Sequence, residues 1–204
     1  MYIPSNFQII DQAELLAFMR RYSFATIITV KDNFPTATHL PFLLEERENG
    51  IVLISHFAKK NDQWRELTDH LALVIFSEPH AYISPKHYDK ELNVPTWNYV
   101  SVHVYGHGKV VDDHEKVFAV LEKTIVNFES DYLPQWKKLP LDYKQHMANG
   151  IVAFEIQVTD IQGKKKLSQN RSEAEQQRIV SSFSNSPDQN ERIIADFMNQ
   201  NKVS

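Results

Sequence analysis

Val94-Pro95-Thr96-Trp97-Asn98-Tyr99-Val100-Ser101-Val102-His103-Val104-Tyr105-Gly106-His107-Gly108 is the stretch that decides the fold class. From Asn98 onward the even positions carry Val100, Val102 and Val104, and the odd positions carry Tyr99, Ser101, His103, Tyr105 and His107. Side chains alternate across a strand, so the valines can enter a core while the aromatic, hydroxyl and imidazole groups line the opposite face. Pro95 pins a turn before the strand begins. A face of this composition suits a flat, polar, partly aromatic ligand. It equally suits the solvated side of an antiparallel sheet, and the strand alone does not separate the two. Gly106 and Gly108 around His107 mark a bend or bulge.

Toward the N-terminus, residues 11–22 read as a helix. Asp11 caps it, Glu14 completes a variant of the capping box, and Ile10 with Leu15 has the spacing of a hydrophobic staple. Leu15, Met19 and Tyr22 form its buried stripe. Strands are expected over 23–30 and 35–44, around the turn Lys31-Asp32-Asn33, and over 51–56 after a charged turn at 45–50. Residues 59–70 read as a helix with Lys60, Trp64, Leu67 and Leu71 on one face. Short strands follow at 71–76 and 81–84.

Toward the C-terminus, Asp112 or Asp113 starts a helix with Phe118, Leu121, Ile125 and Phe128 on its core face. Val152, Phe154, Ile156 and Val158 alternate with polar residues as a half-exposed strand. The run Lys164-Lys165-Lys166 reads as a solvated strand end. Two short polar helices are expected beyond it, over 171–183 and 188–199. About six or seven short strands in hairpin-like order, with two or three helices between them, predict an α+β, mainly β fold. Its architecture is an antiparallel β-barrel with covering helices. The barrel domain is expected over 1–170, with 171–204 a short C-terminal helical appendage.

A chain of 204 residues can bury one sizeable core, and 42% hydrophobic with 24% charged residues is ordinary for a soluble globular protein. No apolar run approaches the roughly 20 residues of a membrane-spanning helix. The N-terminus lacks the pattern of a secretory signal. The absence of cysteine excludes disulfides and thiolate metal sites, and fits a cytoplasmic setting. A net charge of −4 gives no global attraction to nucleic acid.

Five glycines form neither a dinucleotide fingerprint nor a P-loop. With no G-x-S-x-G elbow and no thiol, hydrolase chemistry has no support. Nine histidines raise the question of a metal. On a regular strand, however, His103 and His107 lie ~13 Å apart, too far to share an ion. No metal site is expected. A haem ligand from His39, His103 or His107 stays open. In Ser55-His56-Phe57-Ala58-Lys59-Lys60-Asn61 a strand ends and runs into the expected helix, whose first turn carries two lysines. Cations there oppose the helix dipole. A bound phosphate relieves that conflict, although two solvated lysines at small cost fit the same sequence.

Ser55-His56 and Lys59-Lys60 resemble the phosphate-binding segment of the FMN-binding split-barrel superfamily. More specifically, the whole chain resembles the PaiB-type family of FMN-binding negative transcriptional regulators. Four ordered blocks carry the likeness: Met1-Tyr2-Ile3-Pro4 with Phe7; Ala37-Thr38-His39-Leu40-Pro41-Phe42; Tyr82-Ile83-Ser84-Pro85 through Pro95-Thr96-Trp97-Asn98-Tyr99 to His103; and Lys166-Leu167-Ser168-Gln169-Asn170-Arg171. The resemblance implies an antiparallel split β-barrel, FMN as cofactor, and a homodimer with flavin sites between subunits.

By that likeness, Thr38, His39 and Leu40 lie along the isoalloxazine ring. Ser55, His56, Lys59 and Lys60 serve the phosphate. Trp97, Asn98, Tyr99 and His103 close the site, and Lys166, Gln169 and Arg171 reach into it. Lys59 stands where the superfamily usually has arginine, and an ammonium lacks the guanidinium fork. The implied function is a cytoplasmic regulator that lowers expression of sporulation or secreted-protease genes, with DNA contacted directly or indirectly. Between Arg171 and Lys202 the only cations are Arg178 and Arg192, a poor set for a DNA-reading helix pair. Two other readings stand beside it. One is a flavin-dependent oxidoreductase with His39 and His103 as proton donors. The other is a haem-handling split barrel.

Overall fold

A computed structural model describes residues 1–68 and 70–201. Lys202, counted above among the C-terminal cations, and the end of the expected appendage lie outside the described residues, as does Asp69 in the expected helix.

Eight strands form one sheet: β1 (Gln8–Ile9), β2 (Phe24–Lys31), β3 (Phe34–Pro41), β4 (Leu43–Arg47), β5 (Gly50–Ala58), β6 (Leu71–Ile83), β7 (Thr96–Val110) and β8 (Ile151–Lys166). The order is β3-β2-β6-β7-β8-β5-β4, with β1 on β8, and the pairing is antiparallel. The sheet is open between its end strands, β3 and β4. Six α-helices accompany it among the described residues: α1 (Gln12–Arg21), α2 (His114–Glu129), α3 (Leu133–Lys138), α4 (Leu141–Ala148), α5 (Glu173–Phe183) and α6 (Gln189–Gln200). The expected mainly β, antiparallel split-barrel architecture is borne out.

The residues group into two compact units, and the long strands β6, β7 and β8 contribute to both. The first comprises Met1–Leu15, Ser77–Val102 and the chain from Gln162 onward. The second comprises Leu16–Phe76 and His103–Ile161.

In the second unit, Asp32 and Asn33 turn β2 into β3 with φ of 50° and 61°. Two successive positive φ values define a type I′ hairpin, and Asp and Asn tolerate that region better than bulkier residues. Leu43, Val52, Ile54, Val117, Val120, Ala148 and Ala153 form a buried cluster. Phe154 stacks on Phe57 at 4.8 Å and takes the edge of Phe42. In the first unit, α5 is held by a reciprocal capping box between Ser172 and Glu175. Both terminal helices bury residues at i, i+1 and i+4: Ile179, Val180 and Phe183 on α5, Ile194, Ala195 and Met198 on α6.

Several local expectations are corrected. Among the described residues of 59–70 the only helical segment is a short 3₁₀ turn, Asp62–Glu66, because Asn61 caps Gln63 N and Leu71 already belongs to β6. The expected strand at 35–44 is β3 and β4, divided at the buried Phe42, and Glu45–Arg47 continue β4 instead of turning. The strands at 71–76 and 81–84 are one, β6. Asp11 does cap α1 through Ala13 N at 2.9 Å. Glu14, however, pairs with Lys165 rather than closing a capping box, and Ile10 is 84% exposed, so there is no staple. On α2 the buried residues are Val117 and Val120; the expected Phe118 and Leu121 pack partly buried against the same cluster, and Phe128 is half exposed. Helices α3 and α4 were not anticipated.

Gly106 on β7 fits only because it lacks a side chain. A Cβ there would lie 2.4 Å from the Gln157 carbonyl oxygen and 2.6 Å from Ile156 Cγ2. Backbone of a neighbouring strand cannot yield cheaply, so Gly106→Ala is expected to destabilise by about 1–3 kcal/mol, the usual range for overpacking. The shift of the urea midpoint measures it.

Candidate functional site

In the second unit, β3 ends the sheet and pairs only with β2, placing Thr38 opposite Ile27, His39 opposite Thr26 and Leu40 opposite Ala25. Its outer edge therefore offers backbone donors and acceptors that no strand uses. His39 is exposed and lies over Phe24, with ring centroids 6.4 Å apart. Thr38 is bound inward. Its Oγ1 donates to Gln63 Oε1 at 2.6 Å and accepts from Asn61 Nδ2 at 2.9 Å. Gln63 is 2% exposed, and its Nε2 donates to the Thr36 and Ile27 carbonyls at 3.0 and 3.3 Å. These two amides tie the turn after β5 to the edge strand, bringing Thr38 and the Lys59-Lys60 turn together.

Lys59 and Lys60 are exposed and stand in a turn rather than at a helix start, so the expected dipole conflict does not arise. Neither has a carboxylate partner among the described residues. Two adjacent ammonium groups can attract a dianion. Ser55 is buried and donates to the Pro41 carbonyl at 2.7 Å, so its proton is committed to β3's end. His56 and His103 are half-buried, and desolvation lowers both imidazole pKa values.

The remaining expected site residues lie in the first unit. Trp97 is 51% exposed, with Tyr82 edge-on at 5.8 Å and His80 at 5.9 Å. Asn98 is fully buried, accepting from Ser168 Oγ at 3.1 Å and contacting Met198 Sδ on α6 at 3.7 Å. Gln169 closes the turn after β8, accepting from Leu167 N and donating to the Lys165 carbonyl, both at 2.6 Å. Tyr99 lies under Lys164, Lys166 donates to Thr96, and Arg171 covers the Tyr88 ring at 3.8 Å. The lysine run is no solvated strand end, since Lys164 is only 9% exposed.

Asn61 and Gln63 were missed as organising residues. Asn61 carried a usable signal, an Asx turn onto Gln63 N, formed here at 3.1 Å. Nothing in the local sequence marks Gln63 as buried. Among the described residues no group of three or more acidic or imidazole side chains is placed to hold a metal ion. No helix is long and apolar enough to cross a membrane.

The open antiparallel sheet is a split-barrel fold shared with solved structures. The chain is similar to the flavocytochrome Anf3 from Azotobacter vinelandii, with a TM-score of 0.63, 15% identity, and coverage of 78% of this chain and 69% of that one. It is also similar to the FAD and heme binding protein from Mycobacterium smegmatis, with a TM-score of 0.59, 16% identity, and coverage of 78% and 73%. Residues 1–160 match the family model described as "Putative FMN-binding domain", and the chain belongs to that family, whose cofactor is FMN. It is 37% identical over 203 residues, covering 97% of this chain and 96% of the relative, to "Protease synthase and sporulation protein PAI 2" of Bacillus subtilis. It is 29% identical over 189 residues to an uncharacterized protein of Emericella nidulans, covering 73% and 75% of the two chains. The PaiB-type resemblance is borne out.

Two predictions follow from the geometry. Gln63→Ala strands the Thr36 and Ile27 carbonyls and is expected to destabilise by about 1–3 kcal/mol, whereas Lys59→Ala and Lys60→Ala, at exposed positions, should each stay within about 0.5 kcal/mol. Urea unfolding of the three variants compares them. The folded pKa of His56 lies below its ordinary 6.5, so the folded state binds fewer protons than the unfolded chain on acidification. Its contribution is complete above that pH and lost as pH falls toward the folded value. His56→Asn should flatten the loss of stability between pH 7.5 and about 5, read from urea midpoints across that range.

Proposed function

We propose that this chain is an FMN-binding regulatory protein whose flavin lies along the outer edge of β3, at Thr38, His39 and Leu40, with its phosphate on Lys59 and Lys60. The observation that carries this is the pair of amides, Asn61 and Gln63, which hold the edge strand against the basic turn. The donor set fits the cofactor: unpaired backbone groups suit the rim of the ring, and two ammonium groups match a phosphate dianion. When bound, FMN supplies redox chemistry. The protein's own part is to orient the ring, with exposed His39 beside it and Ser55 fixing the strand end. In this reading Trp97, Tyr99 and His103 complete the site across a homodimer.

Support for the dimer comes from the outer face of the β2–β3 hairpin and β6. Directly opposed residues share a face, so Phe24, Ile28, Val30, Pro35, Ala37, Leu73 and Ile75 lie with Thr26 and His39 on one mostly apolar face, on which Phe24 is 66% exposed and Val30 46%. A monomer mass in sedimentation would remove this part of the reading.

The regulatory role, lowering expression of protease and sporulation genes in the cytoplasm, rests on the nearly full-length likeness to the Bacillus protein of that name. Net charge and the sparse cations of α5 and α6 favour action on DNA through another component over direct contact. The reading is tested by reconstituting the purified protein with FMN. Flavin absorbance should co-elute with the chain, and combined Lys59→Ala and Lys60→Ala should weaken FMN at least tenfold while sparing riboflavin, which lacks the phosphate. Absence of flavin binding, or an unaffected double variant, would overturn the site. Unchanged protease and sporulation transcripts in a deletion strain would overturn the regulatory role.

A further inference from the structure

Among the described residues, three partly buried cations of the first unit, Lys164, Lys166 and Arg171, have no acid in an ion pair. Lys164 donates to the Tyr2 carbonyl at 3.3 Å and lies 5.3 and 5.8 Å from the ring centres of Tyr99 and Tyr2. Lys166 donates to the Thr96 hydroxyl. Arg171 donates to Asn93 Oδ1 at 2.8 Å and covers the Tyr88 ring. All these partners are neutral, and no carboxylate of a described residue lies within ion-pair distance of the three. The contrast is Lys165. Alternation turns it to the opposite face of β8, where it meets Glu14 at 2.7 Å. The nearby acid Glu175 is beyond ion-pair distance; it accepts from Asp89 N at 3.0 Å and Ser172 N at 3.1 Å, and its pKa is held low first by the Asp89 hydrogen bond and more weakly by the charge of Arg171.

Like charges gathered on one partly buried face are unfavourable unless an anion offsets them. The three do sense one another: burial first, then the charges of Lys164 and Arg171, lowers the Lys166 pKa. The aromatic rings recover part of the loss through cation–π contact, but a ring carries no net charge. A guanidinium fork beside two ammonium groups matches the oxygens of a phosphate or carboxylate.

We infer that Lys164, Lys166 and Arg171 form an oxyanion-binding site, for a phosphate or carboxylate group, built from residues other than those that serve the flavin phosphate. The rings of Tyr2, Tyr88 and Tyr99 form its walls. Lys166 and Arg171 supply the charge that selects an anion. The ligand is a small acid that binds whether or not flavin is present.

Thermal melts of the full chain at low ionic strength test this, with inorganic phosphate and succinate as probes, on flavin-free and FMN-saturated protein. A concentration-dependent rise in Tm is expected in both forms, and the stronger anion identifies the ligand class. Lys166→Gln and Arg171→Gln should each weaken the response at least tenfold, Arg171→Lys should retain part of it, and Lys165→Gln should leave it intact. Should Lys166→Gln fold poorly, the Arg171 pair carries the comparison. No response to either anion, or an undiminished response in the Gln variants, overturns the site. So does a response abolished by FMN, with both Gln variants weakening FMN but not riboflavin, because the cations then belong to the cofactor's phosphate. If the chain binds no FMN, the flavin-free titration still decides, so the two readings fail separately.

Discussion

The valine row of β7 is the constraint on which the rest of the fold depends. Val100, Val102 and Val104 are 1%, 0% and 0% exposed. A strand with one face fully buried has its register fixed, since a slip of one residue would send every valine outward. β7 sits in the middle of the sheet order, between β6 and β8, so its register constrains both neighbours. The opposite row is not a solvated face either. Ser101 is 5% exposed, and Tyr99, His103 and Tyr105 are half-buried, leaving His107 as its exposed member.

Around the edge strand, stability and binding are divided between different residues. Asn61 and Gln63 do the structural part, satisfying carbonyls and a hydroxyl that would otherwise be buried without partners. Lys59 and Lys60, held beside them, contribute little to folding and remain available to a ligand. The first unit shows the same division along β8. Lys165 joins β8 to α1 through Glu14, while the lysines on either side face aromatic rings and neutral oxygens.

Elements with strong local signals were legible in the sequence. The Asp32-Asn33 hairpin, the Asp113 cap of α2, the long strand β7 and the two terminal helices all rest on turn chemistry or on an unambiguous period. The segment after β5 was not. Lys60, Trp64, Leu67 and Leu71 have helical spacing, yet Leu67 is buried at the close approach of Gly108, where a Cβ would lie 2.7 Å from its own, and Leu71 has entered β6. Helical spacing of four positions cannot show that two of them answer to different neighbours. The face of α2 was legible in part: Phe118 and Leu121 pack against the core cluster as expected, but its most buried residues are the smaller Val117 and Val120.

The sequence by itself determined which residues alternate, where the hairpin turns, and which family the chain belongs to, because these depend on local order and on blocks matched in sequence. Only the tertiary structure decided that Gln63 is an interior brace and that Lys165 is neutralised while Lys164 and Lys166 are not. Gln63 reaches a carbonyl 36 positions away, and Lys165 finds its acid 151 positions away. Charge and hydrogen-bond satisfaction are settled by such distant partners, and no local period encodes which of them the fold will bring together.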